Sequence, residues 1–210
     1  MIDNTNKKIK AVVFDFGGVI ELNEGGGTLK SIAGLLNIPI DDLRNVYFQY
    51  NHLANVENMS WGDMIIKVVS IFDDSKEKEA QVRSMLKDFS SKNKINTELL
   101  SLFSVLRRQG LKVGILSNAS SRLRERLNTE GIAKLVDEIV ISGEIGFQKP
   151  HKEAFEVLFE KLNLRPGEVI FIDDAAKSLE KAHEIGYIPV LFKSNEQLKI
   201  DLRKFGIALT

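Results

Sequence analysis

Five short apolar runs constrain the fold of this chain more than any other feature. They lie, in order, at residues 10–14, 111–116, 138–141, 169–172 and 188–192. Because polar residues do not alternate within them, these runs are typical of strands buried on both faces of a parallel sheet. Helix-like segments follow them, which predicts βαβ units with right-handed crossovers. We therefore expect an α/β fold, a Rossmann-like, doubly wound parallel sheet.

Residues 22–95 interrupt this alternation of strands and helices. They contain no run typical of a strand, and their helix-like stretches lie at residues 29–36, 40–52, 61–72 and 77–89. Loops at the carboxyl ends of parallel strands normally form the ligand site, so a segment inserted after the first strand is placed to cover it. We therefore predict a small helical cap domain at 22–95 and a catalytic core of residues 1–21 and 96–210. The glycines at 25–27 are a candidate hinge.

Three helices of the core are predicted by the spacing of their apolar residues and by their ends. They cover residues 97–109, 151–162 and 176–185. Thr97 is the predicted N-cap of the first helix, because its hydroxyl can accept a hydrogen bond from a free amide of the first turn. Gly110 is placed to end that helix, and Gly186 to end the third.

Charge balance limits the ligands that this chain can attract. Its 210 residues include 29 Lys and Arg against 29 Asp and Glu, so the chain as a whole does not attract nucleic acid or an anionic membrane. The absence of cysteine excludes disulfides, thiolate catalysis and cysteine-ligated zinc. No run approaches the ~20 apolar residues that span a bilayer, so we expect a cytoplasmic protein. We also expect a monomer or a homodimer.

Asp15 directly follows the first apolar run, and one residue separates it from Gly17 and Gly18. A charge would be costly inside the sheet but is well placed at its carboxyl end, where glycines let backbone amides approach a ligand closely. Asp15 is therefore a candidate nucleophile, and Gly18 a candidate substrate-binding residue. The alternative interpretation is a carboxylate that caps a turn.

Hydrogen-bond donors lie at two later positions. Ser117 and Asn118 end the second apolar run, where they either donate to phosphate oxygens or cap the helix that follows. Lys149 lies in a loop just before a helix. Its compact charge suits a phosphate or a catalytic carboxylate, although most loop lysines are only solvated.

Asp173 and Asp174 form an acidic pair at the end of another apolar run. Adjacent carboxylates repel each other unless a cation neutralises them, and carboxylate oxygens suit Mg²⁺. A doubly wound sheet brings such strand ends into one crevice. A nucleophilic carboxylate, phosphate donors, a lysine and a metal site together favour Mg²⁺-dependent hydrolysis of a small phosphorylated metabolite.

Four motifs, in this order and context, resemble those of the haloacid dehalogenase (HAD) superfamily of hydrolases. They lie at residues 13–19 (VFDFGGV), 115–118 (ILSN), 149–150 (KP) and 171–174 (FIDD). The match covers the predicted core at 9–20 and 96–195. Residues 22–95 resemble the helical cap of the family only in placement and predicted content.

The resemblance implies a role for each matched residue. Asp15 would be the nucleophile that forms an aspartyl-phosphate, and Lys149 would bridge Asp15 and the phosphate. Asp174 would bind Mg²⁺ directly with Asp173 beside it, while Asp15 and the backbone carbonyl of Gly17 would complete the metal contacts. The transferred phosphoryl group would be held by Ser117 and Asn118.

Gly17 departs from the pattern of the family. Phosphatases of the superfamily usually have a second aspartate at this position, two residues after the nucleophile, which protonates the leaving alkoxide and deprotonates the incoming water. General acid–base catalysis contributes roughly 10²–10⁴-fold to a rate. Gly17 therefore predicts a slow phosphatase, a substitute acid from the cap, or a good leaving group such as that of a sugar 1-phosphate.

Two alternatives stay open at this point. The dehalogenases of the superfamily also lack the second aspartate, but they need no metal, so the acidic pair Asp173 and Asp174 would be poorly motivated in a 2-haloacid dehalogenase. The other alternative is a non-catalytic protein with a binding or regulatory role that recognises phosphorylated ligands, and Gly17 supports it. We place the phosphatase ahead of both.

Overall fold

The apolar runs form one parallel sheet in the computed structural model, which describes residues 9–23 and 27–208. Numbered along the chain, the strands are β1 (Ala11–Phe14), β2 (Glu21–Asn23), β3 (Asn93–Ile95), β4 (Lys112–Ser117), β5 (Glu138–Ile141), β6 (Val169–Asp173) and β7 (Ile188–Leu191). Across the sheet the order is β5-β4-β1-β6-β7, and neighbouring strands are parallel throughout. This order is doubly wound, with β1 at its centre, which confirms the predicted α/β fold class.

Helices cover both faces of this sheet. In the core they are α5 (Thr97–Arg108), α6 (Arg122–Thr129), α7 (Ser142–Ile145), α8 (Lys152–Leu162), α9 (Ala176–Leu179), α10 (Ala182–Ile185) and α11 (Asn195–Lys204), with 3₁₀ turns at Ile132–Leu135 and Pro166–Glu168. One buried apolar cluster joins α5, α6 and α11 to one face, and a second joins α8 and α10 to the other. Burial on both faces explains why the strands carry uninterrupted apolar residues.

Four helices lie between β2 and β3. They are α1 (Thr28–Leu36), α2 (Ile40–Asn55), α3 (Trp61–Val69) and α4 (Lys76–Ser90). Their apolar faces pack into a third cluster that includes the fully buried Leu43, Met64 and Ile65. We call residues 28–90 the helical insertion. Gly27 precedes α1 with φ of 91°, whereas residues 25 and 26 of the candidate hinge lie outside the described part of the chain.

The prediction that residues 22–95 contain no strand is wrong at both ends of that segment. β2 and β3 pair antiparallel, with Leu22 opposite Lys94, and form a ribbon that leads into and out of the insertion. Each strand has only three residues. Strands this short carry no readable alternation, and their partners are far apart in sequence, so only the tertiary structure reveals the pairing.

Two predicted helix ends also need correction. The N-cap of α5 is Asn96 rather than Thr97, because Asn96 Oδ1 accepts a hydrogen bond of 3.2 Å from the amide of Leu99. The helix predicted at 176–185 is two short helices, and Lys181 between them has φ and ψ of −95° and 10°. Among the helices of the described residues, none combines the length and hydropathy that a membrane span requires.

Candidate active site

The candidate site lies where the central strands of the sheet end. Phe14, the last residue of β1, pairs with Ile115 of β4 and with Ile172 of β6, so the residues that follow these strands meet at one edge. The amide of Asp15 donates a hydrogen bond of 2.8 Å to the carbonyl of Ile172 and so continues the ladder beyond β1. The loop after β5 and α7 brings Lys149 to the same edge.

Lys149 is buried between two carboxylates. Its Nζ lies 2.9 Å from Asp15 Oδ1 and 2.6 Å from Asp173 Oδ2. The side chains of Lys149 and Asp173 are 1% and 0% exposed, and that of Asp15 is 14% exposed. A lysine so enclosed is a structural part of the site and not a solvated loop residue.

The charges of this trio shift each other's ionisation. Burial raises the pKa of Asp15 from 3.8 to about 6, against the opposing effect of the Lys149 ammonium and with the help of the Asp173 charge. Burial alone would lower the pKa of Lys149, but the two carboxylates outweigh it and raise that pKa. The lysine therefore stays charged, and the trio carries one excess negative charge when Asp15 is ionised.

Asp174 completes an acidic cluster beside the trio. Carboxylate oxygens of Asp15, Asp173 and Asp174 all lie within 4.8 Å of one another. Desolvation, followed by the Asp173 charge, raises the pKa of Asp174, which is the most exposed of the three. Clustered carboxylates with an excess negative charge and hard oxygen donors fit Mg²⁺.

Both carboxylate oxygens of Asp173 are already engaged within the protein. Oδ2 accepts from Lys149, and Oδ1 accepts a hydrogen bond of 2.8 Å from the amide of Ala175. The Asp174 side chain makes no hydrogen bond or ion pair with another described residue. The structure therefore separates the acidic pair into a buried residue that holds Lys149 and an outer residue whose carboxylate is available to a cation.

Gly18 makes room for Asp174. Its φ is 78°, and a Cβ at this position would lie 2.3 to 2.6 Å from the carboxyl atoms of Asp174, so any side chain here would have to displace that carboxylate. Its amide donates to the carbonyl of Glu21 at 2.8 Å. The amide of the predicted substrate-binding residue Gly18 is thus hydrogen-bonded within the protein. The lack of a side chain at Gly18 leaves the space that the Asp174 carboxylate occupies.

Gly17 differs from its neighbour. It lines the cavity described below, its φ is outside the left-handed region, and a Cβ there would meet no described atom within 4 Å. Neither backbone conformation nor space requires glycine at this position. The missing acid–base side chain is therefore a property of the sequence that the fold does not impose.

Asn118 holds the backbone of Lys149 at both of its polar groups. Asn118 Oδ1 accepts from the Lys149 amide at 2.8 Å, and Asn118 Nδ2 donates to the Lys149 carbonyl at 3.0 Å. The sequence suggested phosphate binding or helix capping for this side chain, and the structure gives it a third role. Ser117, at the end of β4, is buried and lines the cavity beside it.

A cavity of about 710 Å³ opens between the core and the helical insertion. Gly17, Ser117 and Asn118 line it from the core, and Trp61 lines it from the insertion. Further lining residues include Glu21, Met59, Leu86, Phe89, Asn93 and Arg126. A chamber large enough for a small organic ligand therefore adjoins the loop that follows Asp15 and the Asn118 side chain that holds Lys149.

Polar contacts fasten the end of α2 to the core beside the site. Asn55 Nδ2 donates to Gln148 Oε1 at 2.9 Å, next to Lys149, and the Asn55 carbonyl accepts from the Ser142 hydroxyl. Asn58 bridges two core loops, because its Oδ1 accepts from the Ser121 amide at 2.7 Å and its Nδ2 donates to the Gly143 carbonyl at 2.9 Å. Sequence reasoning missed these residues, and nothing in their local sequence distinguishes them.

A model of the haloacid dehalogenase-like hydrolase family matches residues 9–186, most of the chain. The chain belongs to this family. The HAD resemblance seen in the sequence motifs is thereby confirmed. None of its described helices spans a membrane, and its sheet and helices are those of the family's α/β fold.

Known relatives of this HAD protein include both long and short chains. Bifunctional epoxide hydrolase 2 of Rattus norvegicus is 22% identical over 93% of this chain, which spans only 38% of that relative's length. A phosphatase of Mycobacterium tuberculosis is 24% identical over 85% of this chain and 84% of its own. A HAD family enzyme of Bacteroides thetaiotaomicron, solved with magnesium and inorganic phosphate, has a TM-score of 0.61 and 18% identity, with 89% and 96% of the two chains covered. The last likeness shows the shared fold.

Proposed function

We propose that this protein is a Mg²⁺-dependent phosphatase that acts on a small phosphate ester through an aspartyl-phosphate on Asp15. The observation that carries the proposal is the position of Asp15. Its carboxylate stands at the end of the central strand, 2.9 Å from a buried ammonium and within 4.8 Å of the carboxylates of Asp173 and Asp174. The magnesium and phosphate bound by the Bacteroides relative and the phosphatase from Mycobacterium support the same reaction class.

Residues of the chain divide the work of the first step. Asp15 attacks the phosphorus, the bond from phosphorus to the ester oxygen breaks, and the phosphoryl group is left on the Asp15 carboxylate. Lys149, held by Asp173 and by the Asn118 clamp, keeps its positive charge beside the Asp15 carboxylate and the phosphate. Ser117 donates its hydroxyl proton to a phosphate oxygen in a hydrogen bond. In the second step water displaces phosphate and restores Asp15.

Asp174, Asp15 and the Gly17 carbonyl are the proposed ligands of Mg²⁺, with Asp173 beside them. When bound, the cation neutralises charge on the phosphate and on the carboxylate cluster. Asp173 acts mainly on Lys149 in this proposal, because both of its oxygens have partners inside the protein. The HAD resemblance implies the same division, with Asp174 as the direct ligand and Asp173 beside it.

We also propose that residues 22–95 act as a cap domain over a catalytic core of residues 1–21 and 96–210. The separate apolar cluster of the insertion supports this division, and so does the cavity between the two parts. Gly17 supplies no proton to the departing oxygen. The substrate therefore has a leaving group that departs without strong protonation, or it receives its proton from bound water.

The proposal is tested by hydrolysis of p-nitrophenyl phosphate with Mg²⁺ and with a chelator. We expect Mg²⁺-dependent turnover in the wild type and none in Asp15→Asn, together with a phosphorylated Asp15 peptide in rapidly quenched wild-type reactions. Asp41→Asn, the same substitution at an exposed position of α2, is the matched control and should keep full activity. Turnover that survives in Asp15→Asn would rule out the Asp15 mechanism.

Gly17 supports a second candidate, a 2-haloacid dehalogenase, since an acid–base carboxylate is not needed there. Measuring halide release and phosphate release, each with and without a chelator, separates the dehalogenase from the phosphatase. Halide release from 2-haloacids that persists in the presence of a chelator, with no phosphate release from any ester, identifies the dehalogenase. A protein that melts at a higher temperature with phosphorylated ligands but turns over neither substrate is a binding or regulatory protein.

A further inference from the structure

Asn55, the last residue of α2, reaches the candidate site from the helical insertion. Its backbone carbonyl accepts a hydrogen bond from the Ser142 hydroxyl, and that hydroxyl oxygen accepts one of 2.9 Å from the amide of Ala119. The Nδ2 group of Asn55 donates to Gln148 Oε1 at 2.9 Å. These contacts join Asn55 to two loops of the core, the one that follows β4 and the one that carries Lys149.

Both of these loops hold residues of the proposed phosphate site. The loop after β4 carries Asn118, whose side chain holds the backbone of Lys149. The Lys149 ammonium in turn lies 2.9 Å from Asp15 Oδ1. Asn55 also lines the cavity, and so does Gly17, the position at which the acid–base carboxylate is missing. The insertion therefore brings one amide side chain to the loops of the catalytic residues and to the chamber beside them.

The amide of Asn55 has an unused acceptor. None of the residues that the structure describes donates a hydrogen bond to its Oδ1, and this atom is not among the fully buried polar atoms that lack a partner. Oδ1 of this half-buried residue therefore keeps accessible surface. The bond from Nδ2 to Gln148 fixes the plane of the amide, so the oxygen is held in one place before any ligand arrives.

The second chemical step needs an acceptor of this kind. A water molecule must attack the phosphorus of the aspartyl-phosphate, and Gly17 has no side chain to orient or deprotonate it. The group that leaves is the Asp15 carboxylate, which needs no proton, so correct placement of the water matters more than a strong base. An amide oxygen that accepts one hydrogen bond from the water supplies this placement and takes no proton itself.

We propose that Asn55 is a catalytic residue of the second step and that its Oδ1 positions the attacking water. The inference rests on the proposed phosphatase function. The oxygen of the water forms a bond to phosphorus, and the bond from phosphorus to the Asp15 carboxylate breaks with its electron pair kept by the carboxylate. Both hydrogens of the water leave on the phosphate. Asn55 thus supplies the orienting part of the work of the missing carboxylate at Gly17, without its proton transfer.

Single-turnover reactions with p-nitrophenyl phosphate and Mg²⁺ measure the two steps separately. Release of p-nitrophenol follows the first step, and the decay of phosphorylated Asp15 in quenched samples follows the second. We expect Asn55→Ala to release p-nitrophenol at the rate of the wild type and to lose the phosphoryl group about tenfold more slowly, the effect of one hydrogen bond to the attacking water. A slower first step with an unchanged decay contradicts the proposal.

Asn58→Gly is the matched control. Asn58 fastens the insertion to the core through Ser121 and Gly143 but is not among the described residues that line the cavity. Its φ of 62° suits glycine, so this substitution removes the side chain without straining the backbone. Both variants lose a side-chain contact between the insertion and the core, but only Asn55→Ala should retain the phosphoryl group longer. Equally slow decay in Asn58→Gly overturns the proposal, because attachment of the insertion would then be the cause.

Asn55→Asp tests whether the acceptor oxygen is the group that matters. Aspartate keeps an oxygen at this place, and Gln148 can turn its amide so that it donates to the other carboxylate oxygen. The carboxylate can also take a proton from the water, so we expect phosphorylated Asp15 to decay at least as fast as in the wild type at neutral pH. Decay as slow as in Asn55→Ala contradicts the proposal, because the NH₂ group of Asn55 would then be the active one.

The phosphorylated enzyme keeps this inference separate from the proposed function. If neither the wild type nor Asn55→Ala forms phosphorylated Asp15, the phosphatase fails and the role of Asn55 fails with it. If the wild type forms phosphorylated Asp15 and Asn55→Ala loses the phosphoryl group at the same rate, the role of Asn55 fails and the phosphatase stands.

Discussion

Lys149 Nζ lies 2.9 Å from Asp15 Oδ1, and the only other described carboxylate in contact with that ammonium belongs to Asp173, at 2.6 Å. One cation therefore serves two carboxylates in a place that water hardly reaches. The imbalance makes the ionised Asp15 available for attack and leaves the acidic cluster with a charge that a divalent cation can neutralise. The same imbalance has a cost in stability, which can be measured.

The first prediction concerns Asp15→Asn and pH. Burial raises the pKa of Asp15 from 3.8 to about 6 in the folded protein, so the folded state holds this proton more tightly than the unfolded state. The stabilising effect of the bound proton is complete below about pH 4 and is lost as the pH rises through about 6. Each tenfold difference in proton affinity between the two states corresponds to about 1.4 kcal/mol of stability. Asparagine has no charge to bury, so the Asp15→Asn variant does not lose stability in this way as the pH rises.

We therefore expect Asp15→Asn to raise the free energy of unfolding by one to a few kcal/mol, roughly, at pH values above 7 in a chelator. Urea unfolding at neutral pH and at about pH 4 measures this difference, which should shrink at the lower pH. An inactive variant that is also more stable would show that the buried charge of Asp15 lowers the stability of the wild type. Equal stability at neutral pH would mean that Asp15 is well solvated or already neutralised.

The second prediction removes the cation. Lys149→Met leaves Asp15 and Asp173 buried without their partner, and loss of one member of a buried pair costs about 3–5 kcal/mol. Asp173→Asn added to Lys149→Met removes one of the stranded charges, so the double variant should recover part of the stability and none of the activity. Urea unfolding measures both. Lys152→Met, at an exposed lysine of α8, is the control and should change stability little.

Sequence reasoning placed the strand ends correctly because each one is a local pattern. Asp15 and Asp174 follow apolar runs, and a parallel sheet brings such strand ends together independently of how the helices pack. The internal partners of Asp173 could not be predicted, because they depend on Lys149 and the Ala175 amide both reaching its carboxylate in the folded protein. The clamp made by Asn118 was missed for the same reason.

The contacts that join Glu21 to Asn93 and Arg126 were still harder to predict. Glu21 looks like an ordinary polar residue at a strand edge, and its partners Asn93 and Arg126 are distant in sequence. Only the antiparallel pairing of β2 with β3, which the sequence did not reveal, brings Asn93 to it. Local periodicity predicts elements, whereas a site assembled by pairing three of them needs the tertiary structure.

The third prediction restores the missing acid–base group. Gly17 has room for a Cβ and an ordinary backbone conformation, so Gly17→Asp should fold. We expect it to raise turnover of alkyl phosphates, which have poor leaving groups, by about 10²-fold, the lower end of general acid–base catalysis. p-Nitrophenyl phosphate needs no such proton and should gain little. Gly17→Ala is the matched control, and an aspartate that does no better than this alanine contradicts an acid–base role for position 17.

The last prediction concerns the cation and separates Asp174 from its neighbours. Mg²⁺ should raise the melting temperature of the wild type in a concentration-dependent way, because it binds only the folded site. Asp174→Asn should abolish this rise. The metal-free protein should stay at least as stable, because desolvation and the Asp173 charge, which raise the pKa of Asp174, make its charged form unfavourable in the folded state.

Gly18→Ala tests the same site without removing a ligand. A methyl group 2.3 to 2.6 Å from the Asp174 carboxyl atoms must displace them, so the Mg²⁺-dependent rise should weaken, whereas Gly17→Ala should preserve it. Thermal melts with graded Mg²⁺, with Ca²⁺ for comparison, measure all three variants. An undiminished rise in Asp174→Asn would move the metal away from this carboxylate, and an undiminished rise in Gly18→Ala would show that Asp174 can bind the cation from a second position.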